Sequence, residues 1–464
     1  MASITDDIVP LNRTEFGYAA VEGLAAGVMQ PYVLRFNAPL DEALVRRVLR
    51  QLVTIYPKLR AIIEAGPHRY HFRILPDDHV VDQLFDLAYQ VDSHINVDDP
   101  VALEAWHRRM LNEVVPIERG IGMRVRFVPH PQRAVILFAV PHIFGDGMTM
   151  LNLVNQIVRG LNGMPMEPMP IEAPSMIGSI APEHWWQWPI KLWRAKQYKA
   201  RESKRLKSLH IQQIPRQHSP NFSTTGLRHH TVSTGTKAMR QAARKLGVTV
   251  NTFQVAAIAQ TFLEQAPDDP KAAAVIRISV NLRRYYPKSA GHGPLWGNHV
   301  GAFLVIEQDP KKALVDRVRS VDALMKEGIS RFNRREMCWV YLMEEMLPWL
   351  GRTLVGYVGV QMKRKDRFPK ISGHATSIGD VSSVINPPDV AVRIDQFMPS
   401  VASIALLPAL VETDGKLFIP LSWQLSESSV EDVDDFLRRL DQTFERMVAE
   451  AEQMPAPEPQ AKAA

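Results

Sequence analysis

The sequence predicts an α/β (α+β) protein with two packed cores, and three observations predict it. Residues 134–163, AVILFAVPHIFGDGMTMLNLVNQIVRGLNG, open on a continuous apolar run, Ala134 to Val140, the length of a strand buried on both faces. Met150, Leu153, Ile157 and Leu161 then recur at helical spacing. A second succession of helices and apolar strands resumes after residue 216. With 464 residues, 46% of them hydrophobic, the chain is long enough to fill two cores rather than one.

Taken in order, PYVLRF (31–36) reads as a first strand. Leu44, Val45, Val48, Leu49, Leu52 and Val53 mark one side of a helix that starts after Pro39-Leu40-Asp41 and stops at Pro57. HRYHFRIL (68–75) alternates as a hairpin strand does. In GMRVRFV (122–128), Met123, Val125 and Phe127 face away from Arg124 and Arg126, and this strand should pair with 134–140 across HPQ. Asn162-Gly163 and Pro165 end the helix after residue 147, and the Pro- and Met-rich stretch 164–182 reads as an irregular connection.

WWQWPIKLWRAKQYKARESKRLKSLH (185–210) sets four tryptophans in a dense basic run. It reads as a solvated crossover helix whose tryptophans pack against the two lobes. The same composition suits a segment lying on an anionic membrane, or a docking patch for a carrier protein.

LRHHTVST (227–234) is a strand, and Thr236 to Leu246 a helix stopped by Gly247. VTVNTFQVAAIAQTFLEQ (248–265) is a buried helix capped by Thr249 or Asn251. AAVIRISVNLRRYYP (273–287) is a strand running into a polar turn. GPLWGNHVGAFLVIE (293–307) places Gly297-Asn298 ahead of an apolar strand, where an Asx turn is one reading of Asn298. Residues 310–327 and 333–350 read as helices, KRKDR (363–367) as a basic loop, and ISGHATSIGDVSSV (371–384) and LFIPLSWQ (417–424) as strands. The last helix spans about 427–451. The organisation expected is a first lobe at 1–175, a crossover linker at 176–215, a second lobe at 216–452 and a disordered tail at 453–464.

Composition narrows the function. The single cysteine, Cys338, rules out an intrachain disulfide and suits a reducing compartment such as the cytoplasm. The polar N-terminus has no apolar stretch of signal-peptide length, and no apolar run approaches a membrane span. The net charge of +6 suits an anionic ligand, such as a coenzyme A nucleotide or an acidic carrier protein. No nucleic-acid motif accompanies that charge. His229 and His230 have no acidic or cysteine partner at ligand spacing, so no metal site is expected.

His142, Asp146 and Gly147 form the pattern His-x-x-x-Asp-Gly at a strand-to-helix junction. In such a chain chance supplies it about 0.04 times. A neutral imidazole held between rigid elements can take a proton near pH 7. Asp146 reads as a brace of the turn, held by a cation from elsewhere in the chain. A core histidine in a Gly-rich turn fits the same residues.

PHIFGDG (141–147), after an apolar strand and before a helix, resembles the signature of the chloramphenicol acetyltransferase-like superfamily, which includes BAHD and alcohol acyltransferases, polyketide-associated acyltransferases, wax ester synthases and condensation domains. Pro141 stands where many members carry a first histidine, and the Asp-Phe-Gly-Trp-Gly hallmark of the BAHD group is absent. LDEALVRRVLRQLVTIYPKLRAII (40–63) resembles the superfamily's opening helix and strand, and Gly-Val-Thr, helix, strand, Asn-Leu-Arg its second half. The resemblance implies two similar lobes, each a mixed sheet flanked by helices, with a tunnel between them. It implies an acyltransferase with His142 as general base and a salt bridge from Arg283 to Asp146, Arg277 being the other arginine in range. It implies substrate or oxyanion contacts at Asn298, Thr376 and Ser377. The donor implied is acyl-CoA or an acyl-carrier phosphopantetheine, the acceptor a small hydroxyl or amine compound, with no permanently bound cofactor and a monomeric state. A carrier-protein-dependent condensation enzyme and a non-catalytic binding member are the other readings that resemblance leaves.

Overall fold

A computed structural model of the chain describes residues 8–22, 28–66, 70–169, 176–286 and 296–454. The expected tail lies, from residue 455 on, outside the described residues.

Two cores form, as the composition requires. In the first lobe the described strands of the main sheet lie in the order Ile394–Pro399, Met29–Phe36, Val135–Pro141, Arg124–Val128, Tyr89–Val91. Every residue of Val135–Pro141 is buried, because the strand is central and helices cover it. The helices Glu42–Ile55 and Gly147–Leu161 pack on each other there. Asp41 starts the former by accepting from Leu44 N at 2.8 Å. Each buries one apolar side and leaves the other wet, the pattern their spacing predicts.

The second sheet runs Val300–Gln308, Ala272–Asn281, Gly373–Asp380, Leu407–Thr413, Lys416–Gln424, Thr225–Thr231. Gly373–Asp380 is parallel to both its neighbours and the remaining pairs along this path are antiparallel, so the sheet is mixed. The helix Val250–Leu263 is apolar all round and lies buried between this sheet and the helices Leu314–Asn333 and Val430–Gln453. Thr249, not Asn251, caps it, accepting from Thr252 N at 3.1 Å.

The structure corrects four expectations. A single division near residue 216 does not hold for residues 381–399. After Gly373–Asp380 the chain crosses over, and Val381, Ile385, Ile394 and Phe397 enter the first core. Ile394–Pro399 then pairs antiparallel with Met29–Phe36 before the chain returns to the second sheet. The helix expected at 333–350 is broken into Cys338–Glu345 and Leu347–Leu350, because Pro348 cannot extend a ladder backward and Gly351 sits at φ 81°. Residues 363–364 end a helix, Arg352–Arg364, rather than opening a basic loop, and Lys363 is buried against Glu427. Only Trp188 of the four tryptophans packs on a core; Trp185 is 80% exposed, and Trp186 and Trp193 are exposed beside the basic helix Trp188–Lys207. Among the described residues no single helix is long and apolar enough to cross a membrane.

Candidate active site

His142 stands at the point where the central strand of the first sheet gives way to a single 3₁₀ turn, His142–Phe144. Three bonds fix that turn: His142 N donates to Val28 O at 2.7 Å, Tyr56 Oη to Phe144 O at 2.8 Å, and Gln30 Nε2 to Gly145 O at 2.8 Å. The imidazole is half-buried, within reach of solvent. Tyr18 stacks on one face, with ring centroids 4.5 Å apart and planes 15° from parallel. Asn298 Nδ2 donates to the His142 carbonyl at 2.9 Å and lies 2.9 Å from Nδ1. Burial pulls the His142 pKa below its usual value, against the backbone carbonyls and Asp146, which favour the proton. The ring is therefore neutral at pH 7, the form a base must have.

Asp146 turns away from the imidazole. It caps the helix Gly147–Leu161, accepting from Thr149 N at 3.1 Å, and accepts from His299 N at 2.9 Å. Arg283 meets it with both guanidinium arms, at 2.7 and 3.0 Å, from the turn after the strand Ala272–Asn281. Burial alone would raise the carboxyl's pKa; Arg283 and the two backbone donors outweigh it and hold the pKa below the usual range. Arg277 takes no part in this pair.

The Gly297 carbonyl closes the clamp, accepting from Arg283 Nη2 and Thr149 Oγ1, each at 2.9 Å. Gly297 has φ 113°, and a side chain there would stand 3.1 Å from Glu15 and 3.3 Å from Lys58, so only glycine fits. This turn aims the wholly buried Asn298 at His142. Gly147, the third motif residue, starts the helix with open space where a side chain would be.

No protein-family model matches the chain, and no curated protein matches it in sequence. Solved structures do match it in shape over nearly its whole length. The first condensation domain of the calcium-dependent antibiotic synthetase gives a TM-score of 0.69 at 14% identity, over 97% of this chain and 99% of that one. The trichothecene 15-O-acetyltransferase of Fusarium sporotrichioides gives 0.67 at 12%, over 95% and 94%. The condensation domain of the Monacolin K polyketide synthase gives 0.61 at 12%, over 97% and 98%. The fold is that of the acetyltransferases and condensation domains.

Within this condensation-domain fold the remaining expected residues separate. Thr376 and Ser377 sit side by side on Gly373–Asp380, so alternation sends them to opposite faces. Thr376 lies 3.3 Å from Ser279 Oγ, on the face that carries His374 and Arg277. Ser377 turns to Gln254 at 3.3 Å, away from that face. No contact joins either hydroxyl to His142. A cavity of about 460 Å³ opens on the Thr376 side, with Arg277, His374 and Tyr341 in its wall. It approaches the motif from the second lobe, and His142 itself is not part of its lining.

Sequence reasoning missed several residues. Tyr18 comes from the helix Arg13–Glu22, whose apolar residues do not gather on one side and so announce nothing. Glu15 and Lys58 form a fully buried ion pair at 2.8 Å beside Gly297. His229, read as a plain strand residue, meets His107 at 2.8 Å, and His107 meets Ser400 at 2.8 Å. Burial brings His107 down to about 4. Among the described residues no cluster of metal-ligating side chains forms.

Proposed function

We propose that the chain is an acyltransferase that moves an acyl group from a thioester, acyl-CoA first, to a hydroxyl or amine. The observation that carries this reading is a neutral, solvent-reachable imidazole pinned at a strand end by Asn298 and Tyr18. The fold shared with an acetyltransferase and with condensation domains supports it.

His142 removes the proton as the acceptor's oxygen or nitrogen attacks the thioester carbonyl carbon. The carbon–sulfur bond then breaks, and the proton passes from His142 to the leaving thiolate. The products are an ester or amide and a free thiol, with no covalent enzyme intermediate. Asn298 Nδ2 donates to the His142 carbonyl, and the backbone carbonyls of His142 and Gly145 favour the proton on the ring; the ring nitrogen they do not hold is the one left to act as base. Asp146 and Arg283 hold the loop and touch no reactant.

The test is a panel of acyl-CoAs offered with candidate alcohols and amines, read by acceptor mass and thiol release. Acceptor mass rising by one acyl unit, with stoichiometric thiol, is expected. Transfer only from a carrier-bound thioester would move the chain to the condensation reading, and no transfer from either donor would leave a binding module.

The basic helix gives a second proposal, of place rather than chemistry. Trp188–Lys207 holds eight basic side chains against Glu202 alone, carries the exposed Trp193, and follows the exposed Trp185 and Trp186. The helix Cys338–Glu345 packs on it, and Trp349, just beyond, is 75% exposed. Exposed indoles beside lysine and arginine suit an anionic membrane surface. Co-sedimentation with phosphatidylserine vesicles should exceed that with phosphatidylcholine and fall with salt. Equal recovery with both lipids would remove the membrane and leave a carrier protein as the partner.

A further inference from the structure

The strand Ala272–Asn281 is second from one edge of the second sheet, paired on both sides, and its residues are buried up to Ile276. Arg277 breaks the run and is exposed into the cavity. It is paired in register with His374 on one side and Leu304 on the other. Arg277 is the one charged residue of the strand, and its exposure into the cavity keeps the charge solvated.

The other cations in the cavity wall are answered. Lys363 meets Glu427, Arg216 meets Asp366 at 2.8 Å, Lys199 meets Glu202 at 2.6 Å, and Arg331 lies over the Tyr198 ring. Among the described residues no ion pair or hydrogen bond joins the Arg277 guanidinium to another side chain, and Glu344 and Tyr341 feel its charge only through space. A neighbouring carboxylate, Glu344, is engaged at 3.8 Å with Arg13. The cavity wall that carries Arg277 also holds the apolar Leu304 and Leu406, beside the polar His374, Tyr341 and Glu344.

The position also connects with the motif. Tyr18, stacked on His142, feels Arg277 as the leading charge that favours its ionised form, although burial still raises it to about 12. Burial, then Arg277 and His142, drive His374 down to about 3. Arg277 thus reaches electrostatically to Tyr18, which stacks on the imidazole, from the wall of the cavity of about 460 Å³.

We propose that Arg277 is the binding group for an oxyanion, a carboxylate on an apolar body, carried by the reactant that enters through the second-lobe cavity. Its planar fork suits two oxygens at once. This deepens the acyl-transfer reading by naming a charge on one reactant. A phosphate of the coenzyme A donor has the same chemistry and is the other source.

Binding tests it without turnover. Octanoate, its neutral counterpart octanamide, and coenzyme A are titrated against the full chain by ligand-observed NMR. Octanoate should bind more tightly than octanamide. Arg277→Gln should weaken octanoate at least about tenfold and leave octanamide unchanged. Arg277→Lys should recover part of the loss, and Glu344→Gln, which removes a competing carboxylate, should tighten octanoate a few-fold. His142→Ala should bind octanoate like the wild type, so that loss of transfer and loss of binding are read separately. If Arg277→Gln weakens coenzyme A alone, the anion site stands with the donor phosphate as its occupant. Equal affinity for octanoate and octanamide, or unchanged affinity for both anions in Arg277→Gln, overturns the inference.

Discussion

Arg277 lies within the strand Ala272–Asn281 and Arg283 six residues on, in the turn that follows it, and their surroundings are opposite. Arg283 spends its donors on Asp146, Thr149 and Gly297, with its side chain 12% exposed. Arg277 lies open to a cavity, with no ion pair or hydrogen bond to its guanidinium among the described residues and Glu344 acting on it only through space. A guanidinium whose bonds are all internal holds a shape, while one left open holds something that arrives. The site divides along this line into a clamp (Asp146, Arg283, Thr149, Gly297) and a reachable half (His142, Tyr18, His374, Arg277).

Substitutions in the two halves should therefore fail differently. His142→Ala should lower turnover by about 10²–10⁴-fold with the melting temperature unchanged, since the ring's loss removes a base and not a support. Near-normal turnover in a folded variant would end the mechanism. Arg283→Met leaves Asp146 charged and buried, and should cost about 3–5 kcal/mol in denaturant unfolding. A variant as stable as the wild type would show that the clamp is not structural. Asn298→Ala lies on the border between the halves. It should lower kcat by about two- to tenfold, with KM little changed, through loss of one neutral hydrogen bond to the ring.

The smallest effects are those of pH. The depressed pKa of His142 keeps the ring neutral below pH 6.5, so the acid limb of kcat/KM should fall below that value. Asp146 also titrates below its usual range. The unfolded chain takes up that proton first, so the pair's stabilisation is full above about pH 4 and is lost as pH falls through the folded value. His107, neutral when folded, contributes in the same direction: stability declines from about pH 6.5 down to about 4, and His107→Gln should flatten that slope. An unchanged slope in His107→Gln would place the acid sensitivity elsewhere.

Much of the clamp was legible in the sequence. The motif's strand and helix announce themselves by period, and Asp146 and Arg283 are named by the resemblance of the His-x-x-x-Asp-Gly and Asn-Leu-Arg stretches, whereas Thr149 gives no signal and Gly297 stands out only as the residue before Asn298. The reachable half was not. Tyr18 reaches His142 across more than a hundred residues of chain, and nothing local encodes that contact. Ser377 and Thr376 differ by one position, and only the register of the strand decides which faces the cavity. Arg277 looked like a substitute partner for Asp146, because a sequence does not show that a nearer arginine has already taken the place. The strand Ile394–Pro399 was unreadable for another reason: its partner strand lies at the opposite end of the chain.

That exchanged strand has a consequence for how the molecule is made. On the ribosome, Met29–Phe36 keeps one edge without its native partner until synthesis has passed residue 399. The N-terminal half therefore emerges with a sticky flank it cannot cover by itself. Splitting the gene between the halves would leave each product with a piece of the other's architecture missing.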